Sequence, residues 1–381
     1  MTVNTVAYAV PAIAAHGHEL VRRLGEPLLG GNRAEIFCEA APARDCLLTA
    51  VSNASTHINL DSTLLYPPAV RPILIDRLVR ARRAGARVQM LTCSTDRDRL
   101  GSELGLLNAA GVTLSGTLGP RSWRSAIERR GGPLRRQLAV IDGRLGWIGP
   151  GLNSMTPGGG DESPGLHMQL QGPAVALLQR LYLATWQGSS PRASLPRARY
   201  FPSLPLAGEQ RVGLASNFAS AQESGRPGTP LLGAASIART SLAVTLTSAI
   251  ATTELAQAVS AAAARGVMVT VLLPAGAQLS LLWRARVEDW LEAGVRVYQC
   301  RHEQIQAAVS AADGVWANVV FSEEAGRPGN RCGGHAELLI LDPTVASRLQ
   351  QLHQLQCAGA NPWAPAPWSA PLGWLRRVGQ L

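Results

Sequence analysis

One order of structural signals occurs twice along the chain, and this internal repeat limits the possible folds more than any other feature. In each half, an amphipathic helix, a glycine turn and a buried strand are followed by a helix end, a glycine, another strand and a strand hairpin. The halves are offset by roughly 170 to 185 residues, the size of one α/β domain and far longer than a solenoid repeat. The segments are IDRLVRARRAGARVQMLTC (75–93), LNAAGVTL (107–114) and QLAVIDGRLGWIG (137–149), then LAQAVSAAAARGVMVTVLLP (255–274), WLEAGVRVYQ (290–299) and AVSAADGVWANVV (308–320).

Strands that follow a helix, a glycine and a Val-rich run predict βα units. The predicted fold class is therefore α/β, with two tandem lobes, each a mixed, mostly parallel sheet flanked by helices, and the lobes packed as a pseudo-dimer. The segment 187–210 is rich in Pro, Ser and Arg, as linkers are. The predicted divisions are an N-terminal helical segment 1–30, a first lobe 31–190, a linker 191–210, a second lobe 211–358 and a tail 359–381.

The charge of the chain comes from one kind of basic residue. All 36 basic residues are Arg, no Lys occurs, and the formal net charge is +10. Arg without Lys fits a GC-rich coding bias, or selection against lysine modification. A basic surface attracts nucleic acid, phospholipid head groups and acidic proteins alike, so the charge alone selects no partner.

The cysteines and the apolar runs indicate the compartment. The six cysteines lie far apart without a C-x-x-C pair, which predicts reduced thiols of an intracellular protein and no metal site. No basic stretch precedes VAYAVPAIAA at the N-terminus, and no apolar run reaches the ~18 residues of a membrane span. We expect a cytoplasmic protein, or one peripheral on the inner face of the cell membrane.

Four phrases carry a resemblance to a known family: GNRAEIFCEA (31–40), GPAVALLQRLYLATW (172–186), LEAGVRVYQ (291–299) and LLILDPTVASRLQQL (338–352). In their order they resemble the phospholipase D superfamily, and within it the bacterial cardiolipin synthases, from about residue 31 to about residue 356. The resemblance implies two phospholipase D-like lobes. It also implies one His-x-Lys-x4-Asp motif per lobe, followed by a Gly-Ser/Gly-x-Asn turn. In that family one histidine attacks phosphorus and the other protonates the leaving alcohol, while lysines and asparagines hold the phosphate oxygens.

The first lobe keeps only the aspartate of this motif. Counting back from Asp142 places Arg135 at the histidine position and Gln137 at the lysine position. In the turn that follows, Gly149 is kept, and Asn153 comes one residue later than the family spacing. Guanidinium stays protonated and cannot act as nucleophile or acid, so Arg135, with Asn153, is a candidate for phosphate binding only. A structural pairing of Arg135 with an aspartate fits the sequence equally well.

The second lobe has lost the same residues. Counting back from Asp313 places Gln306 at the histidine position and Ala308 at the lysine position. The segment 320–323 stands where the glycine-to-asparagine turn is expected. Neither lobe therefore has an intact catalytic pair.

Two histidines, His335 and His302, are candidates for a displaced catalytic group, and His167 fills a strand position in the first lobe. His335 with Glu337 fits His-x-Glu-x4-Asp, but the residues after it match the family's last core strand and helix, so Glu337 matches the carboxylate that orients the catalytic histidine in the family. His302 needs a four-residue insertion before Asp313, and such histidines are more commonly solvated polar groups. His167 has no evident orienting partner, because Gly165 replaces the acid expected two residues earlier.

The C-terminal tail combines tryptophan with arginine. Trp363, Trp368 and Trp374 precede Arg376 and Arg377, a combination that suits a membrane interface. Tryptophans that fold back onto the domain surface are an equal alternative.

Together these features predict a catalytically inactive member of this family. It would bind an anionic phospholipid or another phosphodiester at the interlobe cleft or the membrane surface, or partner an active paralogue there, without cofactor or metal. The alternative is an active phosphatidyltransferase or phosphodiesterase of the cardiolipin synthase type that uses a displaced histidine. Nucleic acid is a less favoured partner, since aromatic residues are few outside the tail and no lysine-rich patch exists.

Overall fold

The structure is a computed structural model that describes most of the chain. The described residues are 3–25, 27–66, 70–92, 96–116, 137–149, 166–189, 196–216, 229–246, 253–275, 281–301, 308–323 and 335–363. The chain divides into two compact units. The first unit comprises 29–224 and 320–338, and the second comprises 1–28, 225–319 and 339–381.

Helices and strands alternate along both repeats. The helices are α1 (Val3–Leu24), α2 (Ala40–Ser52), α3 (Arg71–Arg83), α4 (Asp96–Ala109), α5 (Val175–Ser189), α6 (Arg197–Tyr200), α7 (Thr229–Ile237), α8 (Thr253–Ala264), α9 (Leu281–Glu292) and α10 (Pro343–Ala358), with a 3-10 turn at Ser62–Leu65. The strands are β1 (Leu29–Phe37), β2 (His57–Asp61), β3 (Arg87–Thr92), β4 (Thr113–Gly116), β5 (Gln137–Ile141), β6 (Leu145–Gly149), β7 (His167–Gln171), β8 (Gln210–Ser216), β9 (Ser241–Thr245), β10 (Met268–Leu273), β11 (Arg296–Gln299), β12 (Ala308–Ala312), β13 (Trp316–Glu323), β14 (His335–Leu341) and β15 (Asn361–Pro362).

Glycines at the helix-to-strand junctions explain why the repeat is visible in the sequence. Gly85, Gly111, Gly266 and Gly294 follow α3, α4, α8 and α9, and each has a φ between 84° and 104°. In each case the next residue's N–H donates to a carbonyl five residues earlier, as Ala86 does to Ala81 at 3.0 Å. This is the Schellman arrangement, which ends a helix and favours glycine because a side chain is strained at positive φ.

The sheet of the first unit is mixed. Its strand order is β8-β1-β7-β6-β5-β2-β3-β4. β2, β3 and β4 are parallel, and the pairs that join β5, β6, β7, β1 and β8 are antiparallel. The strands of the second repeat have the order β15-β11-β10-β9-β12-β13-β14, with β9, β10 and β11 parallel and β12 antiparallel to β9.

The α/β class and the mixed sheet confirm the fold prediction, but the expectation of a mostly parallel sheet is wrong. In the described residues, each parallel pair contains at least one strand that follows a helix-glycine junction, namely β3, β4, β10 or β11. The Asp-Gly hairpins and the remaining strands add antiparallel pairs, because a short turn can join only antiparallel strands.

The core of the first unit lies between the sheet and the helices α2, α3 and α4. Ile58 and Leu60 of β2 pack there with Leu74, Leu78 and Trp147, and all are almost completely buried. Each such side chain contributes roughly 1.5–3 kcal/mol through removal from water. On the other face of β2 the buried residues are polar: His57, Asn59 and Asp61.

Candidate functional site

The two motif aspartates lie in turns of the same shape. Asp142-Gly143 joins β5 to β6, with φ of 54° and 63°, and Asp313-Gly314 joins β12 to β13, with φ of 52° and 65°. Positive φ at both central residues defines the type I′ hairpin turn, for which Asp-Gly is a preferred sequence. Arg144 N–H closes the first turn onto Ile141 O at 2.9 Å. No other non-glycine residue has a positive φ in the described part of the chain.

The carboxylate of Asp142 accepts hydrogen bonds from the chain that leads into β2. The donors are the N–H groups of Ser55, Thr56 and His57, at 2.7–2.9 Å, and the Ser55 hydroxyl at 3.0 Å. Burial raises the pKa of this carboxyl, but the hydrogen bonds from Ser55, His57 and Thr56 outweigh it, and the pKa lies below the ordinary value. Asp142 therefore fixes the start of β2 to the β5–β6 turn.

Asp313 has the same structural role in the second unit, and its carboxylate has one further partner, the side chain of His16. Its carboxylate accepts from the N–H groups of Arg239, Thr240 and Ser241, at 2.8–3.2 Å, and from the Thr240 hydroxyl at 2.9 Å. His16 Nε2 lies 3.0 Å from Asp313 Oδ2. Burial raises the pKa of Asp313, yet the His16 contact and the backbone donors lower it far below the ordinary value.

His16 is the partner that the sequence reasoning missed. It lies on α1, where Ala12, His16 and Leu20 form a buried stripe at a spacing of four residues, and His16 is 1% exposed. That helical spacing was the available signal, because a histidine inside an apolar stripe needs a polar partner. A side chain this deeply buried does not meet a substrate, so His16 fastens α1 to the β12–β13 turn.

Gln137 lies at the opposite end of β5 from Asp142. It is buried and pairs in register with Gly149 of β6. A Cβ atom added to Gly149 would lie 2.5 Å from Gln137 Oε1 and 2.8 Å from His167 Nδ1. Gln137, Gly149 and His167 therefore lie side by side at one end of the sheet, and the amide of Gln137 is at the position where the sequence count predicts the lysine of the family motif.

His167 is held as a neutral imidazole. Its ring stacks on Trp147 with a centroid distance of 5.8 Å, and burial lowers its pKa to about 4. Within the described residues Nδ1 has no hydrogen-bond partner, as expected from the missing acid. The cluster contains a neutral imidazole and a neutral amide, so it supplies hydrogen bonds to a ligand but no charge.

The corresponding positions of the second repeat are less polar. Counted from the turn aspartate, Ala308 corresponds to Gln137 and Val320 to Gly149. Glu337 lies on β14 and is 1% exposed. A methyl group at 308 cannot donate a hydrogen bond to a phosphate oxygen.

Several predicted site residues lie outside the described part of the chain: Arg135, Asn153, His302, Gln306, Trp368, Trp374 and the side chain of His335. Among the residues that the structure does describe, no three His, Cys, Asp or Glu side chains come close enough to hold a metal ion. None of the described helices combines the length and the apolar character of a membrane-spanning segment.

No family model matches the chain. It is 23% identical over 330 residues to the cardiolipin synthase of Listeria monocytogenes serotype 4a (strain HCC23), covering 77% of this chain and 63% of that protein. It is 23% identical over 296 residues to cardiolipin synthase A of Serratia proteamaculans (strain 568), covering 73% and 60%. The chain thus spans less than two thirds of the length of these curated relatives.

Solved structures share the fold at low sequence identity. The crystal structure of phosphatidylserine synthase from Haemophilus influenzae Rd KW20 matches with a TM-score of 0.65 and 12% identity, over 96% of this chain and 98% of that one. Polyphosphate kinase from Porphyromonas gingivalis matches with a TM-score of 0.53 and 10% identity, over 92% and 56%.

The duplicated α/β unit, with an Asp-Gly hairpin in each repeat, shares its fold with the phosphatidylserine synthase structure. By sequence the chain is similar to cardiolipin synthases. The predicted resemblance to the cardiolipin synthases is confirmed.

Proposed function

We propose that this protein is a catalytically inactive relative of the cardiolipin synthases that binds phospholipid or another phosphodiester. One observation carries the proposal. Asp142 and Asp313 are fully engaged in holding backbone N–H groups, whereas the strand positions of the two lysines hold Gln137 and Ala308. The residues that remain serve the fold, and the residues that would perform chemistry are replaced.

The replacements remove specific steps of phosphodiester transfer. Without histidine at 135 and 306, the motif has no nucleophile and no acid for the leaving group. Without lysine at 137 and 308, developing charge on the phosphate oxygens is not neutralised. Arg135 still supports binding, because guanidinium grips two phosphate oxygens at once. A peripheral position on the inner face of the membrane, beside an active paralogue, is part of the same proposal.

Turnover is the first test. We expect no phosphatidyltransferase activity on phosphatidylglycerol and no hydrolysis of a chromogenic phosphodiester. The His302→Ala, His335→Ala double variant should match the unmodified protein at the assay background. A His167→Ala variant belongs in the series, because a neutral imidazole with a free nitrogen is the form a nucleophile requires. Turnover that disappears in either variant would establish the alternative, an active transferase with a displaced histidine.

Lipid binding is the second test. In vesicle flotation we expect the protein to rise with vesicles that contain phosphatidylglycerol and to stay behind with neutral vesicles, since its net charge is +10. An Arg135→Gln variant should bind the anionic vesicles more weakly, whereas Arg286→Gln, which removes one charge on α9, should bind as the unmodified protein does. Absence of flotation at moderate salt would contradict the proposal.

A further inference from the structure

The two repeats differ in the space between the sheet and its last helix. In the first unit this space is filled by tyrosines. Tyr182 of α5 donates its hydroxyl to Gln89 O at 2.9 Å, and Tyr200 of α6 donates to Gln89 Oε1 at 2.6 Å. His57 is in contact with Gln179 of α5 through Nε2, at 3.1 Å, and its ring meets Tyr200 edge-on. The polar face of β2 and β3 is thus closed by bulky side chains.

The corresponding positions in the second unit can be assigned from hydrogen bonds. The N–H of Asp142 donates to His57 O, and that of Asp313 donates to Ser241 O, so Ser241 corresponds to His57. Two residues further on, Ala243 corresponds to Asn59. Asn59 pairs with Gln89 and Ala243 pairs with Thr270, so Thr270 corresponds to Gln89. All three substitutions, from His, Asn and Gln to Ser, Ala and Thr, make the side chain smaller.

Because these side chains are smaller than those of the first repeat, a cavity of about 500 Å³ lies beneath α10. Its floor is the small face of β9 and β10, and one wall is the helix face that carries Gln350, His353 and Cys357. A space of this size lies within the roughly 300–1,000 Å³ range of small-molecule sites.

The buried polar groups of the wall are already satisfied. His353 is 2% exposed, and its Nδ1 lies 2.8 Å from the Thr245 hydroxyl. Its Nε2 lies 3.4 Å from Cys357 Sγ. Burial lowers the His353 pKa to about 4 and raises the pKa of Cys357 to about 12, so both line the cavity as neutral groups.

Among the described residues, the cavity has one charged lining residue, the cation Arg296. Arg296 of β11 is exposed, lies beside Thr270 in the sheet and has no carboxylate partner in the described part of the chain. The lining also includes the apolar side chains of Met268, Ala358 and Pro362, and Met268 is 49% exposed. No Asp or Glu is among the lining residues that the structure describes. An unpaired guanidinium beside an apolar surface favours a ligand with an anionic head and an apolar body.

We propose that this cavity of the second unit binds a small amphipathic anion, with a carboxylate or phosphate head at Arg296 and a medium-length acyl or alkyl chain along Met268, Ala243 and Ala358. The first repeat lacks this site because Gln89 and its two tyrosines fill the space. The site is separate from the degenerate motif positions, so it neither requires nor implies the function proposed above.

Titration calorimetry of the full chain with decanoate, decyl phosphate and neutral decanol tests the proposal. We expect the two anions to bind with a stoichiometry of one and decanol to bind at least tenfold more weakly, which corresponds to about 1.4 kcal/mol. The carboxylate and phosphate arms distinguish a fatty acid from a lipid phosphate as the natural ligand. Equal binding of decanol would overturn the role of Arg296.

Variants locate the site. Arg296→Gln should weaken binding of decyl phosphate about tenfold, and Arg286→Gln, on α9 in the same unit, should leave it unchanged. Thr270→Gln, which introduces the residue of the first repeat, should reduce binding by filling the cavity. The thermal unfolding midpoint of each variant without ligand shows that it is folded. Ala243→Val, which adds volume at the cavity floor, repeats the test should Thr270→Gln not fold. Full affinity in folded Arg296→Gln and Thr270→Gln variants would place binding elsewhere and contradict the proposal.

Discussion

Replacing Asp313 by alanine is expected to lower the free energy of unfolding by about 3–5 kcal/mol, because several buried hydrogen-bond donors lose their acceptor at a cost of about 1–3 kcal/mol each. The substitution leaves the buried His16 without its carboxylate, and the N–H groups of Arg239, Thr240 and Ser241 without their acceptor. It also places a Cβ-bearing residue without a local hydrogen bond at a φ of 52°. The shift of the urea unfolding midpoint measures the loss.

Matched variants separate these causes. Asp313→Asn keeps one acceptor oxygen and tolerates the positive φ, so a smaller loss of roughly 1–2 kcal/mol is expected. Asp313→Gly removes the strain, and its loss of stability combines the lost hydrogen bonds with the larger entropy of glycine in the unfolded chain. Asp142→Ala should cost less than Asp313→Ala, because Asp142 is only partly buried and, among the described residues, no histidine side chain contacts its carboxylate. If both alanine variants unfolded at the midpoint of the unmodified protein, the structural role assigned to the aspartates would be wrong.

The second large effect is a loss of stability between pH 6.5 and about 4. His353 is buried and His167 is half-buried, and their folded-state pKa values lie at about 4, below the unfolded value of about 6.5. As the pH falls below 6.5, the unfolded chain binds protons that the folded chain refuses. Each histidine therefore removes up to ~1.4 kcal/mol of stability per pH unit in this window.

The aspartates affect the stability of the fold in a different pH range. Their folded pKa values are lowered, so their contribution is present above the unfolded value and is lost as the pH falls through the folded pKa. For Asp313 this loss begins below the histidine window. A His353→Gln variant should flatten the decline in unfolding midpoint between pH 6.5 and 4, and the exposed His18→Gln should not change it. An equal slope in all three proteins would show that His353 is not protected from protonation.

How much of the structure the sequence predicts depends on whether the signal is local. The glycines that end helices before strands and the two Asp-Gly turns are local, since the conformation of each depends on a few neighbouring residues. The contact between His16 and Asp313 joins residues 297 positions apart, and only the fold brings them together. The direction of strand pairing was mispredicted for the same reason, because it depends on which strands become neighbours.

The same distinction between local and long-range signals applies to the candidate site. The sequence predicts that Gln137 and Ala308 replace lysines, because the count from each aspartate is fixed by the strand length. It does not predict that Thr270 and Ala243 leave a cavity where Gln89 and Asn59 meet tyrosines. That difference depends on side-chain volume across neighbouring strands, together with the path of a helix far along the chain.

In this chain the motif aspartates Asp142 and Asp313 lie in left-handed turns, and their role there is structural. Each aspartate terminates one strand, begins the next, and positions a third through its carboxylate. Such an aspartate can be retained in a protein that has lost the reaction, because replacing it would destabilise the fold whether or not a substrate is bound. A motif search that gives weight to this aspartate therefore detects the fold and not the catalytic activity. It would classify as enzymes those proteins that retain the fold alone.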